Sequence, residues 1–483
     1  MITNQKSENQ FLPLGLFLLC LVAFIILKIP HISLPFFWDE SGVYGKIIFH
    51  LSDTGLSLHP KAISEWISRG HPLLYPNMIA SVTRVFGESV TVAHTANFVL
   101  ACVLLVSMYY CLRKPFGQWV GLIAPVILMI QPLFFAQSVF VLPEVALCLF
   151  LWWATWAFIQ RNFWLYALTG SAAVLIKEPA IVWLAGLICW DLLHVRKAKW
   201  WHFGIWLSPL MVFGLFLMIQ KNALGWYFFP YHTGGFDFKP ASVADKGGDY
   251  LEYLFWKEGR YLWLIIIIAA GLITLLKRTG SVESSAPVMK QRFYAGLFVA
   301  CLYLLFSSTT FYRQRYILPV FIPICCALAI LLEYCIVQQR HMLALGFIAV
   351  MGFLSFRFYM SADKFNYDLD MSYTRSIESS KKTIKTMLDE GMLEQDEFTA
   401  TIPLLYATND ERFGYLPAGV TGRYSRAIHA GTKYAVKIFP GTEIENPDQY
   451  PLELIREWYD YDIKTTLYKV LPLDTTQLKL KSE

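Results

Sequence analysis

Charge is what this 483-residue chain has least of: Asp, Glu, Lys and Arg make up only 16% of it, against roughly 25% in an average globular chain. With 56% hydrophobic and 16% aromatic residues and a mean hydropathy of +0.44, that deficit excludes an ordinary soluble domain and points to a polytopic membrane protein. The net charge of +5 is spread over short loops, so it is no nucleic-acid footprint and no nucleic-acid partner is expected. There is no zinc-type Cys/His spacing, no phosphate-binding Gly loop and no internal repeat, which removes the usual signatures of zinc sites, nucleotide binding and solenoids. Nine cysteines are present, all of them in apolar runs, so no disulfide framework is implied. The first apolar run, 11–29, is too long for a signal-peptide core of about 7–15 residues and no small-residue cleavage site follows it. It reads as a retained helix.

What is there is a series of apolar runs: 11–29, 90–112, 119–136, 145–159, 163–176, 180–193, 203–219, 261–276, 293–307, 317–336 and 342–358. These predict a mainly α, polytopic fold with about eleven transmembrane helices. The sixteen Trp and twenty-six Tyr suit interface belts. With the N-terminus and Lys6 in the cytoplasm, the inner loops hold Arg113, Lys114, Arg161, Arg196, Lys197, Lys199, Lys277, Arg278, Lys290, Arg292 and Arg340, as the positive-inside rule asks. The outer segments are then 30–89, 137–144, 177–179, 220–260, 308–316 and 359–483, so every long polar stretch lands on the non-cytoplasmic side. Run 73–86 is left out of the count. At 1.5 Å per residue it is about 21 Å long, short of the ~30 Å hydrocarbon core, and it is expected to lie along or dip into the outer face. Two further short helices are expected at 41–56 and 62–67. After residue 358 the composition turns charged and mixed. A helix over 372–388 and strands at 398–406, 434–439 and 465–471 predict a small soluble α/β domain, so the chain divides into a transmembrane domain at 1–358 and a C-terminal domain at 359–483.

The polar residues on the outer side carry the chemistry. Asp39 and Glu40 stand just beyond the first run behind Phe36, Phe37 and Trp38. Either can be an ordinary helix-start acid, but two carboxylates at the mouth of a helix bundle also suit general-base work. Glu144 follows Pro143 at another helix start on the same side. Lys177-Glu178 sits between two apolar runs, where charge is costly unless paired or facing a wet cavity. His232 lies in the aromatic run 226–232. Arg313 and Arg315 oppose the positive-inside bias, and their planar forks suit phosphate oxygens.

In this order the motifs resemble those of the GT-C class of polytopic glycosyltransferases, nearest the branch of protein O-mannosyltransferases and bacterial lipid A aminoarabinose transferases. The resemblance covers about residues 11–358. It rests on Asp39-Glu40 after the first span with Tyr44 one turn on; on His71-Pro72-Leu73, a Lys/His-Pro-Pro-Leu box without its second Pro; on the Phe-Gly-Glu-Ser turn at 86–89; on Ala136-Gln137-Ser138 with Glu144 in place of the commoner Asp; on Lys177-Glu178-Pro179; and on the Arg-Tyr-x-Leu-Pro box at 315–319.

The resemblance implies sugar transfer from a polyprenyl-phosphate carrier to a protein, lipid or glycan acceptor at the outer face of a bilayer, in a bacterial inner or plasma membrane. An inverting displacement needs a base near the acceptor and positive charge at the leaving phosphate. Asp39, Glu40 and Glu144 are the catalytic candidates, with Asp39 as base. Tyr44, His71, Tyr75, Lys177, His232, Arg313 and Arg315 are the substrate-binding candidates. The cofactor is left open: members of the class differ on metal dependence, and Asp39 with Glu144 would be the pair to hold a divalent cation. The competing class is a transporter or flippase for an anionic lipid or lipid-linked sugar, which would also use intramembrane Lys and Arg but should show two inverted halves. A membrane scaffold gives no reason for the acid and Arg motifs to share one side.

Overall fold

A bilayer leaves backbone groups no partner but one another, and the apolar runs accordingly fold as helices. The computed structural model describes residues 11–194, 204–276, 287–337, 346, 348–354, 365–395, 397–420, 424–460 and 462–472. The bundle is built from α1 (Phe11–Ile32), α2 (Gly45–Thr54), α3 (Leu74–Phe86), α4 (Val90–Phe116), α5 (Gln118–Met129), α6 (Pro132–Gln137), α7 (Pro143–Gln160), α8 (Phe163–Ile176), α9 (Ala180–His194), α10 (Ser208–Leu224), α11 (Pro240–Phe255), α12 (Tyr261–Leu276), α13 (Pro287–Ser308) and α14 (Leu318–Val337). Neighbours in sequence pack as hairpins, α4 on α5 and α7 on α8. The long-range contacts of α14 with α5 and α7 and of α9 with α13 close the bundle.

Among the described residues, four helices are long and apolar enough to cross a membrane: Phe11–Ile32, Val90–Phe116, Pro143–Gln160 and Gln314–Glu333. Five shorter apolar helices, of 10–17 residues, stand beside them. The chain is thus an integral membrane protein. The run expected to span at 119–136 is two helices. Α5 ends at Met129, and Pro132 starts α6 as its first residue. Proline lacks the N–H that a continuing helix would use and its ring crowds the preceding turn, a break that average hydropathy does not register. The run expected from 203 is helical at 204–206, breaks at Leu207 and continues as the helix Ser208–Leu224. The run expected at 342–358 lies partly outside the described residues; 348–354 are helical.

The loop after α1 is folded. Residues Glu40–Tyr44 form a π-helical turn leading into α2. The expected helix at 62–67 is instead a 3₁₀ turn, Pro60–Ala62, and an α turn, Glu65–Ser68, with Ile63 extended between them. The apolar piece expected at 73–86 is the 13-residue helix α3, with Tyr75, Ile79 and Ala80 buried and Val85 and Phe86 facing out.

The C-terminal part carries α15 (Tyr373–Asp389) and a five-stranded sheet of order β2-β1-β3-β5-β4. Its strands are β1 (Glu397–Ala400), β2 (Tyr424–Ser425), β3 (Thr432–Phe439), β4 (Leu452–Asp460) and β5 (Ile463–Val470). Β1 pairs parallel with β2 and β3, and β5 pairs antiparallel with β3 and β4. The strand expected at 398–406 stops at Ala400. Pro403 cannot donate to a ladder, and a helical turn, Leu404–Ala407, follows. Β4 escaped the sequence reading because it is a charged edge strand, exposed on most of its length. Buried residues from 365 to 467 belong to the same continuous core as those of α1–α14, so the C-terminal part packs onto the bundle rather than standing clear of it.

Candidate active site

A cavity of about 300 Å³ opens where the polar loops meet. Its polar lining includes Asp39, Tyr44, Arg69, His71, Lys177, Glu178, His232, Arg315 and Tyr316, and its apolar lining includes Phe213, Leu217, Phe229, Phe236 and Phe306. All six polar segments assigned to one side of the membrane therefore gather at one place: 30–89, 177–179, 220–260 and 308–316 line the cavity, and 137–144 and 359–483 reach its wall through Glu144 and Asp368 on Arg315.

Arg315 is the hub. Its guanidinium bonds Asp39 through Nη2 and Asp368 through Nη1, and Nε lies 3.3 Å from Glu144 Oε1. Glu144 also takes a 2.7 Å bond from Lys177 Nζ, and that ammonium sits 4.0 Å above the Tyr316 ring. Arg is suited to this because its planar fork serves several carboxylates at once. Burial works to raise the Asp39 carboxyl, but the charge and hydrogen bond of Arg315, helped by Arg69 and Arg313, outweigh it and hold Asp39 below the ordinary carboxylate value. Asp39 is thus ionised at neutral pH and lines the cavity.

Also in the cavity lining, Glu178 accepts from His71 Nδ1, at 2.9 Å to Oε1 and 3.2 Å to Oε2. The His232 ring lies 5.0 Å from that of His71. Burial, followed by the neighbouring charge of His71, pushes His232 down to about 4. Glu178 is pulled up by burial and more strongly down by His71, and stays below the ordinary value.

Several expected site residues stand elsewhere. Glu40 is fully buried behind Asp39. Its Oε2 accepts from Phe37 N–H at 2.9 Å, and its Oε1 accepts from Val141 N–H at 2.6 Å and from His94 Nε2 at 2.9 Å. Full burial keeps both oxygens off the cavity. Glu144 lies beneath Lys177 and Arg315, outside the cavity wall. Tyr75 is completely buried behind Tyr44, ring centroids 5.9 Å apart, and donates its hydroxyl to Asn97 Oδ1 at 3.1 Å. Arg313 is exposed and off the cavity; its backbone, not its fork, is bound, exchanging bonds with the Tyr250 hydroxyl. Asp39 and Glu144 were expected as the pair for a divalent cation. They converge on Arg315, and among the described residues no group of three or more His, Cys, Asp or Glu could hold a metal.

Arg69 and Asp368 were missed. Arg69 lines the cavity with a left-handed backbone, φ 51°, a conformation that costs a non-glycine residue energy and concentrates at functional sites. Among the described residues it makes no ion pair. Its only signal was one more Arg in an outer loop. Asp368 had none, since nothing in its surroundings announces that it reaches back to Arg315.

Residues 70–227 match the model of the dolichyl-phosphate-mannose-protein mannosyltransferase family. Among solved structures, ArnT from Cupriavidus metallidurans bound to undecaprenyl phosphate superposes with a TM-score of 0.59, and the same protein in the apo state with 0.58. In each case 94% of this chain and 98% of the other are covered at 11% identity. No curated protein matches the sequence significantly. Over residues 70–227 by family model, and over nearly the whole chain by fold, the protein is similar to one class, the membrane glycosyltransferases that include these mannosyltransferases and ArnT. Within that class the chain is similar to ArnT over nearly its whole length, in fold far more than in sequence.

Proposed function

We propose that the protein moves a sugar from a polyprenyl-phosphate carrier to an acceptor on the non-cytoplasmic side of the membrane, by an inverting displacement with Asp39 as base. The observation that carries this is the composition of one cavity: an ionised carboxylate, cationic side chains and an apolar wall together. The apolar wall suits a prenyl chain. The acceptor's O–H or N–H gives its proton to Asp39 as the nucleophile attacks the sugar C1. The C1–O bond breaks, and the phosphate leaves as an anion that needs positive charge rather than a proton. Arg315 is already matched by three carboxylates, so the phosphate falls to Arg69 and Lys177. Tyr44, His71 and His232 line the remaining surface as substrate contacts, while Glu40 and Glu144 support Asp39 and Lys177 from behind. No step is routed through a metal, because the pair that would hold one is taken by Arg315. Similarity to an ArnT that binds undecaprenyl phosphate supports the choice of carrier, and the distribution of Lys and Arg supports eleven spans with the N-terminus inside.

The test is transfer of labelled sugar from undecaprenyl-phosphate-linked mannose and aminoarabinose to endogenous acceptors in membranes. Carrier translocation without transfer would instead establish the flippase reading.

A further inference from the structure

The turn that carries Asp39 has little strength of its own. It opens the π-helical stretch Glu40–Tyr44, whose wide turns are less favourable than α-helix and recur at functional sites. From the bundle side it is held through Glu40, by Phe37, Val141 and His94. From the other side it is held by residues more than 360 positions later. The Tyr406 ring lies flush on Gly42: a Cβ there would stand 2.5 Å from Tyr406 Cε2 and 2.6 Å from Cδ2. Lys46, one turn on, points its Nζ at the same ring, 5.4 Å from the centroid. Phe36 N–H, three residues before Asp39, donates to the Phe413 carbonyl at 3.0 Å, and the Phe413 ring packs on Phe36 and Phe49. Arg412 fastens this patch by bonding Asp53 and Glu88.

We propose that the C-terminal part is a working piece of the active site, in which Tyr406, seated on Gly42, is a positioning residue that fixes the Asp39 turn. This rests on the sugar-transfer reading with Asp39 as base and adds to it a role for the C-terminal part. Gly42 leaves room for the ring, and the ring in turn denies the turn space to relax. Displacing a catalytic group by about 1 Å can cost about 10²-fold in rate, whereas donor contacts at Arg69 and Lys177 lie on other elements.

The experiment is a steric exchange in the full-length protein in liposomes, reading kcat and KM for labelled undecaprenyl-phosphate sugar and the Kd of undecaprenyl phosphate. Gly42→Ala is expected to lower kcat about 10²-fold with donor Kd within a few-fold of wild type. Tyr406→Ala in that background removes the obstruction and restores kcat to within a few-fold of Tyr406→Ala alone. Tyr406→Ala by itself lowers kcat and leaves donor Kd unchanged. Hydrogen exchange gives a readout that does not depend on turnover: in Tyr406→Ala the amides of 36–46 exchange faster, while those of α4 and α7 do not. Wild-type kcat in Tyr406→Ala, a Gly42→Ala defect that Tyr406→Ala fails to relieve, or unchanged exchange over 36–46 would each overturn the proposal. An inactive wild type with faster exchange in Tyr406→Ala would instead sink the sugar-transfer reading and leave the clamp standing.

Discussion

Replacing Asp39 by Asn removes a proton acceptor while keeping its shape, and two magnitudes decide what should be seen. Loss of a well-placed general base slows a reaction by about 10²–10⁴-fold, or about 2.7–5.4 kcal/mol of barrier at 1.36 kcal/mol per decade. Against this stands the structural cost. The Asn carbonyl can still accept from Arg315, which keeps Asp368 and Glu144 as partners. The Asp39 side chain is 22% exposed, so the lost ionic character of one hydrogen bond is worth at most about 1–3 kcal/mol of folding free energy. A folded variant is therefore expected, with kcat down at least 10²-fold and donor Kd nearly unchanged, because Arg69 and Lys177 are untouched. The assay pairs labelled-sugar transfer in membranes with undecaprenyl-phosphate binding in detergent. Near-normal transfer would remove Asp39 from the mechanism. A raised donor Kd with kcat intact would make it a binding residue.

Arg69→Ala should weaken undecaprenyl-phosphate binding by roughly 10-fold or more, as expected for a charge-assisted hydrogen bond of about 1.5–3 kcal/mol, while Arg313→Ala should bind like wild type; equal effects would refute the division of labour between them. Arg315→Met removes the guanidinium that Asp39, Asp368 and Glu144 share, leaving Glu144 with Lys177, and should cost about 3–5 kcal/mol in denaturant unfolding, as for a broken buried ion pair. The sign of its pH dependence follows from Asp39: its folded pKa lies below the unfolded value of about 3.8, so the pairing stabilises above that pH and is lost as pH falls through the lower folded value. The gap between wild type and Arg315→Met should therefore narrow in acid, and a gap that widened there would contradict the pairing. For topology, Lys381 is exposed on α15, and Lys381→Cys should be labelled by an impermeant maleimide from the non-cytoplasmic face; labelling only after permeabilisation would invert the orientation.

Much of the fold was legible because helices in a membrane answer to local composition. Runs such as 90–112 and 145–159 are apolar along their whole length and fold as α4 and α7, with ends displaced by a few residues. Where the reading failed, a single backbone property overrode composition: Pro132 splits one apolar run into α5 and α6, Pro403 ends a strand early, and β4, an edge strand with solvent on most of its length, shows no apolar face to read.

The sequence by itself determined the membrane class, the gathering of acids and cations into the polar loops, and Asp39, Lys177, His71, His232 and Arg315 as residues to examine, because charge beside apolar runs is costly enough to be informative wherever it occurs. The tertiary structure alone decided which of them share a cavity and which are spent on one another. Glu40 and Tyr75 carry the same local signals as Asp39 and Tyr44 yet end fully buried in hydrogen bonds, and Arg315 is neutralised in part by Asp368, a residue 53 positions away in the chain. Ion pairs and hydrogen bonds form between whatever atoms folding brings within about 3 Å, and that proximity is set by the packing of distant elements, for which no local pattern in the chain is a record.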